Sequence, residues 1–320
     1  MKRLAAWRLL AVAAALTAAT PAFAQKTQLT VYTALETDQL KAYQEGFNKV
    51  NPDIEVTWVR DSTGVITAKL LAEKSNPKAD VIMGVAATSM AVFDTQGMLE
   101  AYAPAGLARI DAKYRDPHNP PHWIGMDVYG ATICFNTVEA QKRNIPKPES
   151  WADLTKPVYK GQIVMPHPAS SGTGFFDVTY WLQSMGEEKG WQYMDALHQN
   201  IAQYMHSGSR PCAAAGKPID LVFPKEGLGW ELEAVGIYKG TKKMDAAKKL
   251  LDWSISDAAM ALYAKNFAVV AVPALSQPLE NVPKDFANRL AKNDFEWAAK
   301  NRERILAEWS KRYESKAAPK

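Results

Sequence analysis

Between residues 29 and 97 the chain switches three times from a short apolar run to an amphipathic stretch, and this alternation restricts the possible fold more than any other feature. Leu29-Thr30-Val31-Tyr32 reads as a strand, and Leu40, Tyr43, Phe47 and Val50 then keep the three-and-four spacing of one helix face. Asn51-Pro52-Asp53 ends that helix, and residues 54–59 alternate as a second strand. Asp61-Ser62-Thr63-Gly64 leads into a helix over 65–74, residues 80–85 form a third strand, and Ala87-Thr88-Ser89 opens a helix ending near Gly97. Strands joined by helices through short connections predict a mostly parallel sheet covered on both faces.

The pattern changes after residue 100. A loop rich in proline and glycine covers 101–127, followed by strands over 130–136 and 162–165. Phe175, Phe176, Thr179 and Leu182 mark one helix and Trp191, Met194 and Leu197 another. Residues 245–265 form an amphipathic helix, and 284–313 hold one or two more. A chain of 320 residues is long enough for two lobes. The expected fold class is α/β with two lobes, each a mostly parallel sheet flanked by helices. Residues 25–131 plus 232–320 would form the first lobe, and 132–231 the second. Ligands of open α/β sheets bind outside the carboxyl ends of the strands, so the loops there are the places to search.

The first 24 residues have a basic start, an apolar stretch over 9–19 and Ala22-Phe23-Ala24 before Gln25, the pattern of a cleaved secretory signal. The expected product is an exported protein of the bacterial periplasm. Removing Lys2, Arg3 and Arg8 with that segment leaves 35 basic residues against 34 acidic ones, so bulk charge makes no case for nucleic acid or an anionic membrane. The two cysteines, Cys134 and Cys212, cannot form a four-cysteine zinc site. In an oxidising compartment they form one disulfide or remain two separate buried thiols, and the sequence leaves both open.

Four loops are rich in small hydroxyl residues, three of them with glycine: Ser62-Thr63-Gly64, Thr88-Ser89, Ser170-Ser171-Gly172-Thr173-Gly174, and His206-Ser207-Gly208-Ser209-Arg210. The first three precede expected helices, where free backbone amides and the positive helix end favour an anion and Ser and Thr hydroxyls add donors. The same residues serve as caps and turn formers in any protein; it is their recurrence in one exported chain that points to an anion. His206 could donate to an oxyanion, and Arg210 could offer a bidentate fork. For a cationic end of the ligand the candidates are Tyr32, Glu36, Asp38, Asp177 and Glu231, with Trp230 as an aromatic face.

Catalytic patterns are missing from the sequence. The loop 170–174 lacks the Walker lysine, no G-x-S-x-G elbow occurs, and no H-E-x-x-H is present. His118 and His122 are four apart, but Pro120 and Pro121 break any helix that would align them, so both read as loop residues rather than zinc ligands. The expectation is therefore no enzyme, no cofactor and no metal. An exported phosphatase or hydrolase is the rival from another class.

Taken together, the leader, Leu29-Thr30-Val31-Tyr32-Thr33-Ala34, the stretch Asp80-Val81-Ile82-Met83-Gly84-Val85-Ala86-Ala87-Thr88-Ser89, the block 170–174 and Phe223-Pro224-Lys225-Glu226-Gly227 resemble extracytoplasmic solute-binding proteins of ABC importers over nearly the whole mature chain. Asp61-Ser62-Thr63-Gly64 with His206-Ser207-Gly208-Ser209 is most similar to the 2-aminoethylphosphonate-binding branch, near the ferric-iron-binding proteins. The resemblance implies a type II binding-protein fold that closes on its ligand and docks as a monomer on a membrane permease. It implies Ser62, Thr63, Thr88, Ser171, Thr173, Ser207 and Ser209 around a phosphonate, with Tyr32 and an acid near the amine. Another oxyanion, a phosphate ester or ferric ion is the alternative cargo; ferric relatives usually present adjacent tyrosines, and this chain has no Tyr-Tyr pair. One departure stands out. Between Ser209 and Pro218 such proteins usually carry a longer segment with a strand, so the second lobe is expected to be shortened near 210–217, leaving an open sheet edge.

Overall fold

The computed structural model describes residues 26–209, 211–212, 216 and 218–319; the expected leader and Arg210 lie outside the described residues. The expected alternation is present from the start: β1 (Thr27–Thr33), α1 (Thr37–Asn48), β2 (Ile54–Arg60), α2 (Thr63–Ala72), β3 (Val81–Ala86) and α3 (Ala87–Thr95). Strand β1 pairs in parallel with β2 on one side and β3 on the other. The buried faces of β3 and α3 fit a strand covered on both sides, since every residue of β3 is buried.

The complete first sheet is mixed rather than mostly parallel. Further along come β4 (Leu99–Glu100), β5 (Ile124–Gly130), β10 (Trp230–Tyr238) and β11 (Val269–Val270), and the order is β11-β5-β10-β3-β1-β2 with β4 also paired to β10. Strand β10 is antiparallel to both β3 and β5 because the chain leaves this lobe after β5 and re-enters it running the other way. The two crossings lie side by side: Gly130 is opposite Trp230, and the Ala131 N–H donates to the Gly229 carbonyl at 2.9 Å.

The second lobe contains β6 (Ile133–Asn136), α4 (Thr137–Arg143), β7 (Ile163–Pro166), α5 (Gly172–Met185), α6 (Glu187–Asn200), β8 (Ile201–Met205) and β9 (Ile219–Val222). The strand expected over 130–136 is thus split at Ala131-Thr132 between the two lobes. Instead of one mostly parallel sheet, the described residues form two separate ladders, β6–β9 antiparallel and β7–β8 parallel. Cys134 of β6 and Cys212 are bonded as a disulfide with Cα atoms 5.3 Å apart, which ties the loop after β8 to β6.

The expected helix over 245–265 is two, α7 (Met244–Ser254) and α8 (Asp257–Tyr263), because Ser256 caps the second through the Ala259 N–H. After α9 (Phe286–Arg289) the chain ends in α10 (Phe295–Tyr313). Two cores result. The larger fills the space around the first sheet, from Leu29, Tyr43 and Phe47 to Leu250, Trp253 and Tyr263. The smaller is built on Phe175, Trp181, Trp191 and Leu197, and Ala298, Ile305, Trp309 and Tyr313 of α10 are buried in it. Residues at spacings of seven, four and four put one face of α10 into that core. The C-terminal helix, expected with the first lobe, packs against α3 of that lobe and also buries one face in the second core, with Trp309 edge-on to His167 and Tyr204. No described helix is long and apolar enough to cross a membrane.

Candidate functional site

The N-termini of α2 and α5, one from each lobe, converge on a cavity of about 260 Å3 between the lobes. Ser62 is the N-cap of α2, and its hydroxyl makes no cap bond to the helix. Ser171 is the N-cap of α5, where its Oγ accepts from the Gly174 N–H at 3.3 Å. Thr63, Thr173, Ser207 and Ser209 complete a wall of hydroxyls with Gly172 and Gly208 between them. Both glycines are needed for the close approach. A Cβ on Gly208 would stand 2.2 Å from Thr173 Oγ1, and one on Gly172 would stand 3.0 Å from Thr63 Oγ1.

The lobes touch directly beside this cavity. The Gly64 N–H donates to the Ser170 carbonyl at 2.9 Å, and His206 Nε2 lies 3.0 Å from Asp61 Oδ1. A Cβ on Gly64 would fall 2.0 Å from the Ala169 carbonyl oxygen, so only glycine permits this degree of closure. Two helix N-termini and the hydroxyls of both lobes thus face one space.

The opposite end of the cavity is lined by Glu36, Gln39, Arg60, Glu233 and Asn266, none of which except Glu36 stood out in the sequence. Arg60 donates to Glu36 at 2.8 Å and to the Leu35 carbonyl at 3.0 Å, so the one carboxylate found by sequence is already paired. Glu233 sits directly opposite Asp127 across the β5–β10 ladder; Asp127 is fully buried and Glu233 is partly buried on the cavity wall. Burial raises both carboxyls above the ordinary range, Glu233 to about 8, and the neighbouring charge raises Asp127 further. At neutral pH the pair thus holds a proton. Tyr129, also on the cavity wall, has its phenol pushed well above 10 by burial and then by the acids around it.

Of the residues singled out in the sequence, Ser62, Thr63, Ser171, Thr173, Ser207, Ser209 and Glu36 meet in this cavity. Others do not line it. Tyr32 is buried with its hydroxyl donating to Glu73 at 2.7 Å. The Thr88 hydroxyl donates to Glu231 at 2.7 Å, and this buried pair locks α3 to β10; burial pushes Glu231 up to about 7, partly offset by the bond from Thr88. Trp230 donates to the Ala291 carbonyl at 2.7 Å and packs edge-on against Phe295. His206 stands beside the cavity on Asp61, Asp38 lies on the first turn of α1, and Arg210 is outside the described residues. Asp177 faces a different cavity of about 500 Å3 inside the second lobe, next to Trp181 and the β6 backbone, and burial raises its carboxyl well above the ordinary range.

Among the described residues the cavity is lined by donors, acceptors and helix ends, with no hydroxyl hydrogen-bonded to a base. A family model described as bacterial extracellular solute-binding protein matches residues 76–302. The chain belongs to that family. It is an extracytoplasmic substrate-binding component of an ABC importer, periplasmic and not an enzyme. A probable ABC transporter periplasmic-binding protein of Sinorhizobium fredii is 27% identical over 259 residues, 72% of this chain and 70% of that one. A Fe(3+)-binding periplasmic protein of Serratia marcescens is 26% identical over 177 residues, 55% of this chain and 50% of its own length. The chain spans about two thirds of the length of the first curated relatives it matches. Among solved structures, the periplasmic binding protein AfuA from Actinobacillus pleuropneumoniae with fructose-6-phosphate bound superposes with a TM-score of 0.83 at 27% identity, over 90% of this chain and 99% of that one. The two-lobe architecture follows the same fold.

Proposed function

We propose that the cleft binds a small phosphate monoester with a hydroxylated tail and that the closed protein delivers it to a membrane permease. The observation that carries this reading is the meeting of the α2 and α5 N-termini with six Ser and Thr residues at one end of the cavity, opposite an uncharged-to-paired polar end. The phosphate would take the helix ends and hydroxyls. Arg60, Gln39, Asn266 and protonated Glu233 would then exchange hydrogen bonds with hydroxyls of the tail. At about 260 Å3 the cavity lies at the small end of ligand pockets, which favours a compact metabolite over a nucleotide or peptide. The bound fructose-6-phosphate of AfuA supports the same class of cargo.

The expected 2-aminoethylphosphonate shares the oxyanion but adds an ammonium, which needs a free carboxylate. Glu36 is held by Arg60, and Glu233 is paired with Asp127, so neither offers an unpaired negative charge. Ferric ion would be held by hard, deprotonated oxygens. Among the described residues the one phenol on the cavity wall is Tyr129, and its environment disfavours ionisation. Calorimetric titration of refolded, ligand-free protein tests the choice, with fructose-6-phosphate, 2-aminoethylphosphonate, inorganic phosphate and ferric citrate as titrants. One-to-one binding of the sugar phosphate at least ten times tighter than the other three is expected. Preferential binding of the aminophosphonate or of iron would overturn the assignment.

A further inference from the structure

A second constellation lies outside the cleft, where the loop before β5 folds against the end of α3. Asp94 of α3 and Asp116, His118 and His122 of the loop place one ligand atom each within 4.8 Å of all the others. None of the four lines the cavity between the lobes. His118 Nδ1 is 2.7 Å from Asp116 Oδ1 and 3.7 Å from Asp94 Oδ2. His122 Nδ1 hydrogen-bonds Asp94 Oδ1 and is 3.7 Å from Asp116 Oδ2. The two imidazoles are stacked, with centroids 4.8 Å apart and planes 17° from parallel.

We propose that Asp94, Asp116, His118 and His122 bind one divalent transition-metal ion of the zinc class, independently of the ligand cleft. The donor set argues for this first. Two imidazole nitrogens point at two carboxylates, so something positive must sit between each facing pair of lone pairs. Two Nδ1 protons on neutral rings can do so but leave both carboxylate charges in place, whereas a single dication bound to the four atoms offsets them. Two nitrogens and two oxygens suit zinc in tetrahedral coordination, whereas an all-oxygen set would suit magnesium or calcium. A tetrahedron with ligand bonds of about 2.0–2.2 Å has edges of about 3.4 Å, so atoms already within 4.8 Å need only close by small side-chain rotations.

The support around the donors is the second argument. Asp116 is 3% exposed, and backbone N–H groups hold both its oxygens: His118 donates to Oδ1 at 3.3 Å and His122 to Oδ2 at 2.6 Å. The buried carboxylate therefore fixes the turn that brings both rings to one side. His118 remains largely exposed, which leaves a route for the ion to enter. The proline break expected to separate the histidines places them on a loop, and the loop still stacks them.

The test uses full-length mature protein stripped with a chelator and dialysed against zinc chloride, with bound metal measured by mass spectrometry. Cobalt substitution, read by visible absorption, reports the coordination. One equivalent of zinc and an intense tetrahedral cobalt spectrum are expected, with His118→Ala and His122→Ala each weakening affinity at least tenfold. His198→Ala, a histidine elsewhere in the second lobe, should change nothing. Circular dichroism checks that the variants are folded, and Asp94→Asn serves as a further variant if one histidine variant is not. Absence of stoichiometric zinc, a cobalt spectrum like that of the aqueous ion, or affinity unchanged in both histidine variants would overturn the site. Titration of the cleft ligand into the His118→Ala protein separates the two sites: it should give wild-type affinity, and a parallel loss would refute their independence.

Discussion

Replacing Gly64 by alanine should abolish tight binding while leaving the fold intact. The added Cβ would lie 2.0 Å from the Ala169 carbonyl oxygen and 2.8 Å from the Ser170 carbonyl carbon, against about 3.4 Å or more for ordinary contact. Backbone atoms cannot swing aside as a side chain can, so the loop before α5 must withdraw by more than 1 Å, roughly. Hydrogen bonds require donor and acceptor within about 3.2 Å, so that displacement detaches the second-lobe hydroxyls from a phosphate still held by the first lobe. Losing two bonds to a charged group, at about 1.5–3 kcal/mol each, weakens binding by about a hundredfold or more. The glycine sits in the first turn of α2, where alanine is a better helix former by up to about 1 kcal/mol. The expected signature is thus an unliganded melting temperature equal to or above wild type, together with calorimetric affinity reduced at least a hundredfold. Affinity within threefold of wild type would refute the closure argument. A cooperative loss of stability would refute the assignment of the clash to the closed interface.

Acid–base behaviour gives a second expectation. Glu233 is raised to about 8 and Glu231 to about 7 in the folded protein, above the ordinary carboxylate value near 4.3, so both carry protons on folding. Their contribution is present below about pH 4 and is lost as pH rises towards 8, at about 1.4 kcal/mol per pH unit for each proton involved. Denaturation curves between pH 5.5 and 7.5 should show falling stability, with a shallower slope in Glu233→Gln; an identical slope would contradict the pairing with Asp127. The Cys134–Cys212 bond closes a loop of 78 residues, worth about 4 kcal/mol in the chain-entropy account. The double serine variant should melt several degrees lower, and an unchanged melting curve would exclude that contribution. Ser171→Ala removes a helix cap and a cleft hydroxyl, so it should cost about 1 kcal/mol of stability and weaken ligand binding about tenfold or more. Loss of either effect alone would show that Ser171 serves only the other role.

The opening of the fold was legible because β1 to α3 follow local rules: apolar alternation, helix-face spacing and clear breaks between them. Strand β10 was not. Glu231 and Glu233 interrupt its apolar run, and only the finished structure shows the first buried against Thr88 and the second set opposite Asp127 on the cavity wall. The hydroxyl-bearing wall of the cavity was readable from its Ser, Thr and Gly loops, two of which open α2 and α5 after a strand. The opposite end was hidden because Arg60 ends β2, Gln39 lies within α1 and Asn266 follows α8, and their convergence is a matter of topology rather than spacing. Tyr32, Thr88, Trp230 and Glu231 had the right chemistry for a ligand, yet each spends it on a neighbour within the protein. The placement of α10 was equally invisible, because its apolar face specifies a core but not which of the two cores it joins.

The central claim is that the two helix ends hold the phosphorus-bearing end of the ligand inside a closed cleft. Phosphorus NMR of fructose-6-phosphate added to refolded protein in substoichiometric amount tests this most directly. The account predicts a broadened, shifted resonance that reverts to the free position in Gly64→Ala. A sharp resonance at the free position in the wild-type protein would contradict it.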